Sequence, residues 1–276
     1  MSRLLDLLGH RSTDRLVIVT CHGLGSSNAA NHAIENALRD GVGTSAGLQI
    51  PCPWSRGAAA HYQGEDVGLS LTFLAEHDRY RWGPITNGPS LLDGDGGFPR
   101  TAADLGEHAD VDEVRREGRA QIERAILWGF DLSHLSSHLQ ALCLRPELFD
   151  VYLELAVEFR LPISLPHSDL DLGFPAHDLA ADEHILTADH VVAAPFGHEA
   201  RPVLDRALRD LKPGVTEFLV RPAIDTPEIR AVAPHWAAYV SDAHLLCDDW
   251  TFRSALGRSG AVPIGYRALR DAQRKL

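Results

Sequence analysis

Ten residues near the middle of the chain concentrate groups that can do chemistry: Asp131-Leu-Ser-His-Leu-Ser-Ser-His-Leu-Gln140. As a strand, the segment places Ser133, Leu135, Ser137 and Leu139 on one side and His134, Ser136, His138 and Gln140 on the other. Such a polar row has two readings. It is a set of hydrogen-bonded groups inside a core, or it is a wall facing a cavity, where imidazoles can hold a metal ion or move protons. Segments that could meet that wall begin after Thr20, between Ser70 and Leu74, and after Val220.

The flanking pattern supplies the scaffold. Arg15–Thr20 is a β-branched run that reads as a buried strand, followed by a Gly- and Ser-rich loop over 21–28 and a helix over Ala29–Asp40 closed by Gly41. Thr44–Ile50 and Asp66–Phe73 are further strand candidates, with a short helix over Ser55–Gln63 between them. The piece from Ala75 to Thr101 is long and irregular, and its aromatics Tyr80, Trp82 and Phe98 favour an ordered loop that covers something. Asp110–Trp128 carries a helical stripe of Val111, Val114, Ile122, Ala125 and Ile126. Beyond the polar row come a helix over Pro146–Phe159, strand candidates at 162–165 and 188–193, a helix over Pro202–Leu211 and a strand over Gly214–Val220. A largely helical stretch over Ile229–Leu246 and a last strand at Val262–Tyr266 complete the pattern.

Strands alternating with helices and no break in composition predict a single α/β domain. The expected form is a TIM-like (β/α) barrel of about seven parallel strands, with chemistry at the strands' C-terminal ends.

Composition narrows the function classes. The 276 residues are 45% hydrophobic and 23% charged, ordinary for a globular protein. The formal net charge of −12 argues against nucleic-acid and anionic-membrane surfaces and leaves a small-molecule partner. No apolar run is long enough to span a bilayer, and the first residues lack a signal-peptide core. Cys21, Cys52, Cys143 and Cys247 show no metal-ligand spacing and read as reduced thiols, so the expected location is cytoplasmic. Homo-oligomerisation stays open.

Four segments carry a resemblance to a known family: Thr44-Ser45 leading to Pro51-Cys-Pro-Trp54, Tyr80-Arg-Trp-Gly-Pro84, Pro89-Ser-Leu-Leu-Asp93, and Lys212-Pro-Gly-Val-Thr-Glu217. Over about 16–269 the chain resembles the YdjC-like carbohydrate deacetylases, which include chitooligosaccharide deacetylases. The resemblance implies a distorted TIM-type barrel with a divalent metal, zinc or magnesium, in its mouth. It also implies removal of N-acetyl groups from amino sugars by a metal-activated water. In that family one Asp and two His hold the metal, a second Asp is the general base, and a late His before a Pro protonates the leaving amine.

At those positions this sequence departs. His22 and Gly23 stand where the Asp pair is expected, Ser70 where a metal His is expected, Ser136 where an Asp is expected, and Arg221 in place of the late His. His138 alone of the three implied ligands remains. Three explanations follow. The site is a catalytically inactive remnant, with no metal and with an altered or sugar-binding role. Or His22, His134 and His138 hold a metal in a rebuilt site. Or carboxylates such as Asp66, Asp131 or Asp169 supply the missing groups. In every case His22, Ser70, His134, Ser136, His138 and Arg221 are expected to converge on one mouth, with a carbohydrate-like ligand beside them. Tyr80 and Trp82, with Trp54, would stack on a sugar ring or pin the long loop. Arg221 would repel a cation and attract an anion, or pair with Asp225.

Overall fold

In the computed structural model, which describes residues 3–166, 170 and 172–276, the chain begins with α1 (Arg3–Leu7), β1 (Arg15–Leu24), α2 (Asn28–Arg39), β2 (Ser45–Leu48), α3 (Ser55–His61) and β3 (Val67–Leu71). It continues through α4 (Ala102–His108), α5 (Val111–Leu127), β4 (Leu132–Ser137), α6 (Pro146–Phe159), α7 (Ala176–Asp182) and β5 (His190–Ala193). The last elements are α8 (Arg201–Arg209), β6 (Gly214–Val220), α9 (Pro227–Val232), α10 (Trp236–Cys247), α11 (Trp250–Arg258), β7 (Val262–Pro263) and α12 (Tyr266–Gln273). Short 3-10 turns occupy Pro89–Leu91 and His138–Cys143.

All strand pairings are parallel, in the order β4-β3-β2-β1-β6-β5, with β7 also on β1. Among the described residues seven strands are present, but they do not ring a closed barrel. The sheet curls and stays open between β4 and β5. The expected strand at 162–165 is reduced to a single bridge, Leu135 to Ile163. Ile163 also donates its N–H to Leu186 O at 3.1 Å. The segment meets β4 through two hydrogen bonds, Leu135 N to Pro162 O and Ser164 N to Leu135 O, both at 2.9 Å, and Pro162 has no N–H to add another.

Burial explains the strands. Val17, Val19, Cys21, Leu69, Leu71 and Leu135 are wholly inside one large apolar core, and Leu16, Ile18 and Val215 join a second cluster on the other face with Leu5 and Leu269. Strands covered on both faces read as continuous apolar runs. Helices are capped where the sequence signals it. The Ser27 side chain accepts from Ala30 N, and Asp110 accepts from the N–H groups of Asp112 and Glu113.

Two irregularities position the site. Register shifts by one residue between His22 and Leu24 of β1, where Gly23 has φ of 100°. A second shift lies between β3 and β4: Val67 pairs with Leu132, but Leu69 pairs with Leu135, so β4 carries an extra residue opposite Gly68. Such bulges re-aim side chains. Strict alternation over 131–140 is thereby broken, and Leu139 and Gln140 leave the strand with positive φ.

Below the mouth, Glu217 of β6 is fully buried and accepts from Thr20 Oγ1 at 2.7 Å, Ser164 Oγ at 2.6 Å and Tyr266 OH at 2.7 Å. Burial raises its pKa, and the three hydroxyls act against that rise. One carboxylate thus joins β1, the chain beside β4, and α12. Glu217→Ala leaves three buried hydroxyls without an acceptor, and we expect a loss of about 2–3 kcal/mol in denaturant unfolding. An unchanged midpoint would remove Glu217 from this role.

Candidate functional site

Because every strand runs the same way, one end of the sheet collects all the C-terminal strand ends. His22 lies near the end of β1, Gln49 follows β2, Ser70 lies near the end of β3, Ser136 lies near the end of β4 with His138 just after it, and Arg221 follows β6. Two adjoining cavities open there. The smaller, about 60 Å³, is lined by Gln49, Glu76, His77, Tyr80, Trp82 and Tyr239, among others. The larger, about 270 Å³, includes Ser136, Ser137, Gln140 and Leu165. His22, His138, Phe196 and Arg221 line both.

His22 sits on a strand, not in the loop expected from its neighbours. Gly47 is its cross-strand partner. A side chain there would come within 3.4 Å of Ser70 Cβ and 3.5 Å of both His22 Nδ1 and Ser136 Oγ. Three strands thus bring His22, Ser70 and Ser136 together over one glycine. His22 Nε2, Ser70 Oγ and Ser136 Oγ are buried without hydrogen-bond partners. Burial, and then the charges of Arg221, His134 and His138, push the His22 pKa well below its ordinary value, so the ring is neutral.

His138 has both ring nitrogens engaged. Nε2 donates to Glu76 at 3.0 Å, and the Gln49 amide donates to Nδ1 at 2.8 Å. Burial raises the pKa of Glu76, but the charge of and hydrogen bond from His138, aided by His77, outweigh it and hold the carboxyl at about 2. With Nε2 bonded to Glu76 and Nδ1 to Gln49, neither ring nitrogen of His138 is free for a metal in this arrangement.

His134 lies deeper than the other members of its row. The bulge lays it over Gly68, its ring stacks on Tyr266 at 3.9 Å between centroids, and Nδ1 bonds Ser133 Oγ at 3.0 Å. A rebuilt centre of His22, His134 and His138 is therefore not assembled. Among the described residues, no group of three His, Cys, Asp or Glu side chains is arranged to hold a metal ion. The residues present do not fit the divalent ion that the resemblance implies.

The alternative carboxylates do not repair this. Asp66 and Asp131 lie just before β3 and β4, at the opposite end of the sheet, and are tied to α12: Asp66 accepts from Arg267 N at 2.7 Å, and Asp131 from Arg270 Nη1 at 2.7 Å. Asp169 lies outside the described residues.

The loop over 75–101 is ordered beside the mouth. Tyr80 OH donates to Ser26 O at 2.8 Å and Trp82 Nε1 to Leu74 O at 2.8 Å, and the two rings meet edge to face. Arg81 clamps the loop from inside, through the carbonyls of Ala75 and Phe98 and the carboxylate of Asp93. Tyr80 and Trp82 line the smaller cavity while their polar ends pin the loop. Trp54 lines neither cavity. Asn31 fixes the loop after β1, accepting from Gly25 N at 2.7 Å and donating to Trp54 O at 3.0 Å.

Arg221 does not pair with Asp225, which is held by Arg230 at 2.6 Å. Its guanidinium lies over Phe196 at 5.6 Å. Sequence reasoning missed Glu76, Gln49, His77 and Tyr239 in the cavity. Glu76 had no motif around it. Gln49 stood two residues before a recognised segment and was the more findable of the two.

A family model described as YdjC-like protein matches residues 16–256. A carbohydrate deacetylase of Thermus thermophilus is 34% identical over 264 residues, covering 94% of this chain and 95% of its own. One of Geobacillus stearothermophilus is 31% identical over 188 residues, covering 64% of this chain and 74% of its own. A solved structure from Enterococcus faecalis, proposed to be a cellobiose-phosphate cleavage protein, superposes with a TM-score of 0.83 at 20% identity over 93% of this chain and 99% of its own, a likeness of fold. On the family match and the near full-length similarity, the chain belongs to the YdjC-like carbohydrate deacetylase family.

Proposed function

We propose that this protein binds a small carbohydrate-like ligand at the C-terminal end of its sheet and does not carry out metal-dependent deacetylation there. The observation that carries the reading is His138. Of the ligands implied by the family it alone remains, and Glu76 and Gln49 occupy both of its nitrogens. Gly23 offers no side chain, Ser70 is a poor ligand for a borderline ion, and the positive charge of Arg221 opposes a cation at the mouth. Amide hydrolysis at neutral pH needs an activated water, and no carboxylate stands at the general-base position.

Ligand binding is supported by what is kept: a cavity of about 270 Å³ whose lining combines apolar side chains with His22, Ser136, Gln140 and Arg221. The same reading places the protein in the cytoplasm as a protein without a resident metal. Four unpaired cysteines, three of them buried, support a reducing compartment.

Acetate release from N-acetylated chito-oligosaccharides tests the reading, run with and without added zinc or magnesium beside elemental analysis of the purified protein. We expect acetate at the level of the blank and no stoichiometric metal. One equivalent of metal with turnover abolished by a chelator would overturn the proposal in favour of a working deacetylase.

A further inference from the structure

The ligand-recognition problem left open by the site concerns Arg221. Among the described residues its guanidinium donates no hydrogen bond and joins no ion pair; only its backbone N–H is engaged, with Asp242 at 3.3 Å. The acids that face it are committed elsewhere. Glu76 is bonded to His138 at 3.0 Å. Asp242 of α10 accepts from Ala200 N at 2.8 Å as well as from Arg221 N, and burial pushes its carboxyl up to about 6. A guanidinium with five donors and no protein acceptor is expensive to hold in a concave, partly desolvated place unless something else fills its fork.

Its surroundings share one polarity. Ser136 Oγ and His22 Nε2 are both buried and unpartnered, and both residues line the larger cavity with Arg221. Among the described residues lining that cavity there is no Asp or Glu. Among the described residues the cavity therefore offers hydroxyl, imidazole and guanidinium donors and no opposing carboxylate.

We propose that the larger cavity is a carboxylate-binding subsite, in which Arg221, His22 and Ser136 hold the acid group of a small ligand such as a sugar acid. The proposal rests on the carbohydrate-binding reading for the sugar part of the ligand and on the free guanidinium for the acid part. A carboxylate is favoured over a phosphate by charge. Arg221 supplies one full positive charge, while burial keeps His22 neutral, so a monoanion is matched and a dianion is not. A planar carboxylate also fits a guanidinium fork with two parallel hydrogen bonds. Over the whole chain the net charge is −12, so selection for an anion would be local to this cavity.

Calorimetric titration of the full-length protein tests this with D-glucuronate, D-glucose, D-glucose 6-phosphate and L-lactate as probes. We expect glucuronate to bind at least about tenfold tighter than glucose, the gain of charge-assisted hydrogen bonds. Arg221→Gln should erase that preference and Arg221→Lys should keep part of it, since charge survives and the fork is lost. Ser136→Ala should weaken glucuronate severalfold and leave glucose unchanged. Among the described residues the Arg221 guanidinium donates no hydrogen bond and touches the protein through the face of Phe196, so its variants should melt close to the wild type, which a thermal scan checks. Equal affinity for glucuronate and glucose, binding of neither, or a preference that survives Arg221→Gln would each overturn the subsite. Tighter binding of glucose 6-phosphate than of glucuronate would overturn the choice of a carboxylate. Lactate binding as tightly as glucuronate would uphold the subsite and overturn the sugar reading instead.

Discussion

Gly68→Ala should be the most damaging single methyl in the sheet, at about 3–5 kcal/mol of stability. A Cβ at Gly68 would sit 2.2 Å from His134 Nδ1, 2.4 Å from Cε1 and 2.5 Å from His134 O. The extra residue in β4 lays that ring over the glycine, and Tyr266 is stacked against the ring. The imidazole has nowhere to retreat, and the carbonyl is backbone. Gly47→Ala, one strand over, meets nothing closer than 3.4 Å and should change stability little. Urea midpoints of the two variants check the contrast. Equal midpoints would show that the His134 ring moves aside freely, which the stacked geometry denies.

Acid should destabilise the protein beginning near pH 6.5, well above the range where carboxylates titrate. Burial holds His134 at about 3, against an ordinary value near 6.5. Below 6.5 the unfolded chain takes up a proton that the folded chain refuses. The stability this ring contributes is therefore fully present above 6.5 and is lost as pH falls towards 3, on the order of 5 kcal/mol in all and about 2 kcal/mol by pH 5. His22 acts with the same sign. Glu76 adds its own loss lower down, as pH falls from its ordinary 4.5 towards about 2. His134→Phe keeps the stack on Tyr266 and removes the titration. Its urea midpoint should vary less between pH 7 and pH 5 than that of the wild type. Parallel slopes for the two proteins would sink this account.

Much of the architecture was legible because its signals are local. The run Gly214–Val220 and the helix Pro146–Phe159 have the bounds read from the pattern, since apolar runs and a Pro at the first helical turn leave little freedom. Closure of the barrel was not legible. It depends on whether 162–165 can form a ladder with both neighbours, a long-range matter that the apolar pattern does not encode. The site divides in the same way. Arg221, His138, His22 and Ser136 were found at the mouth because parallel strands put their C-terminal ends together. The single extra residue that takes His134 out of their company has no signature in the sequence. Glu76 and Gln49 come from connections, where side-chain direction follows tertiary packing and not period.

The pairings of β1 have a consequence for how the chain reaches this structure during synthesis. One edge of β1 is held by β6, whose residues are 214–220, and part of the other by β7, at 262–263. Thr20 likewise meets Glu217, and Glu217 meets Tyr266. β1 (15–24) therefore leaves the ribosome well before β6 (214–220) and β7 (262–263) and waits for them as partners. At about 5–20 residues per second, that is an interval of ten seconds or more in which an apolar strand has open edges. Contacts so distant in sequence also slow folding once the chain is free. Until β6 arrives, the run from Leu16 to Cys21 is an exposed pairing template, and this interval is where chaperone dependence or aggregation of the nascent protein would arise.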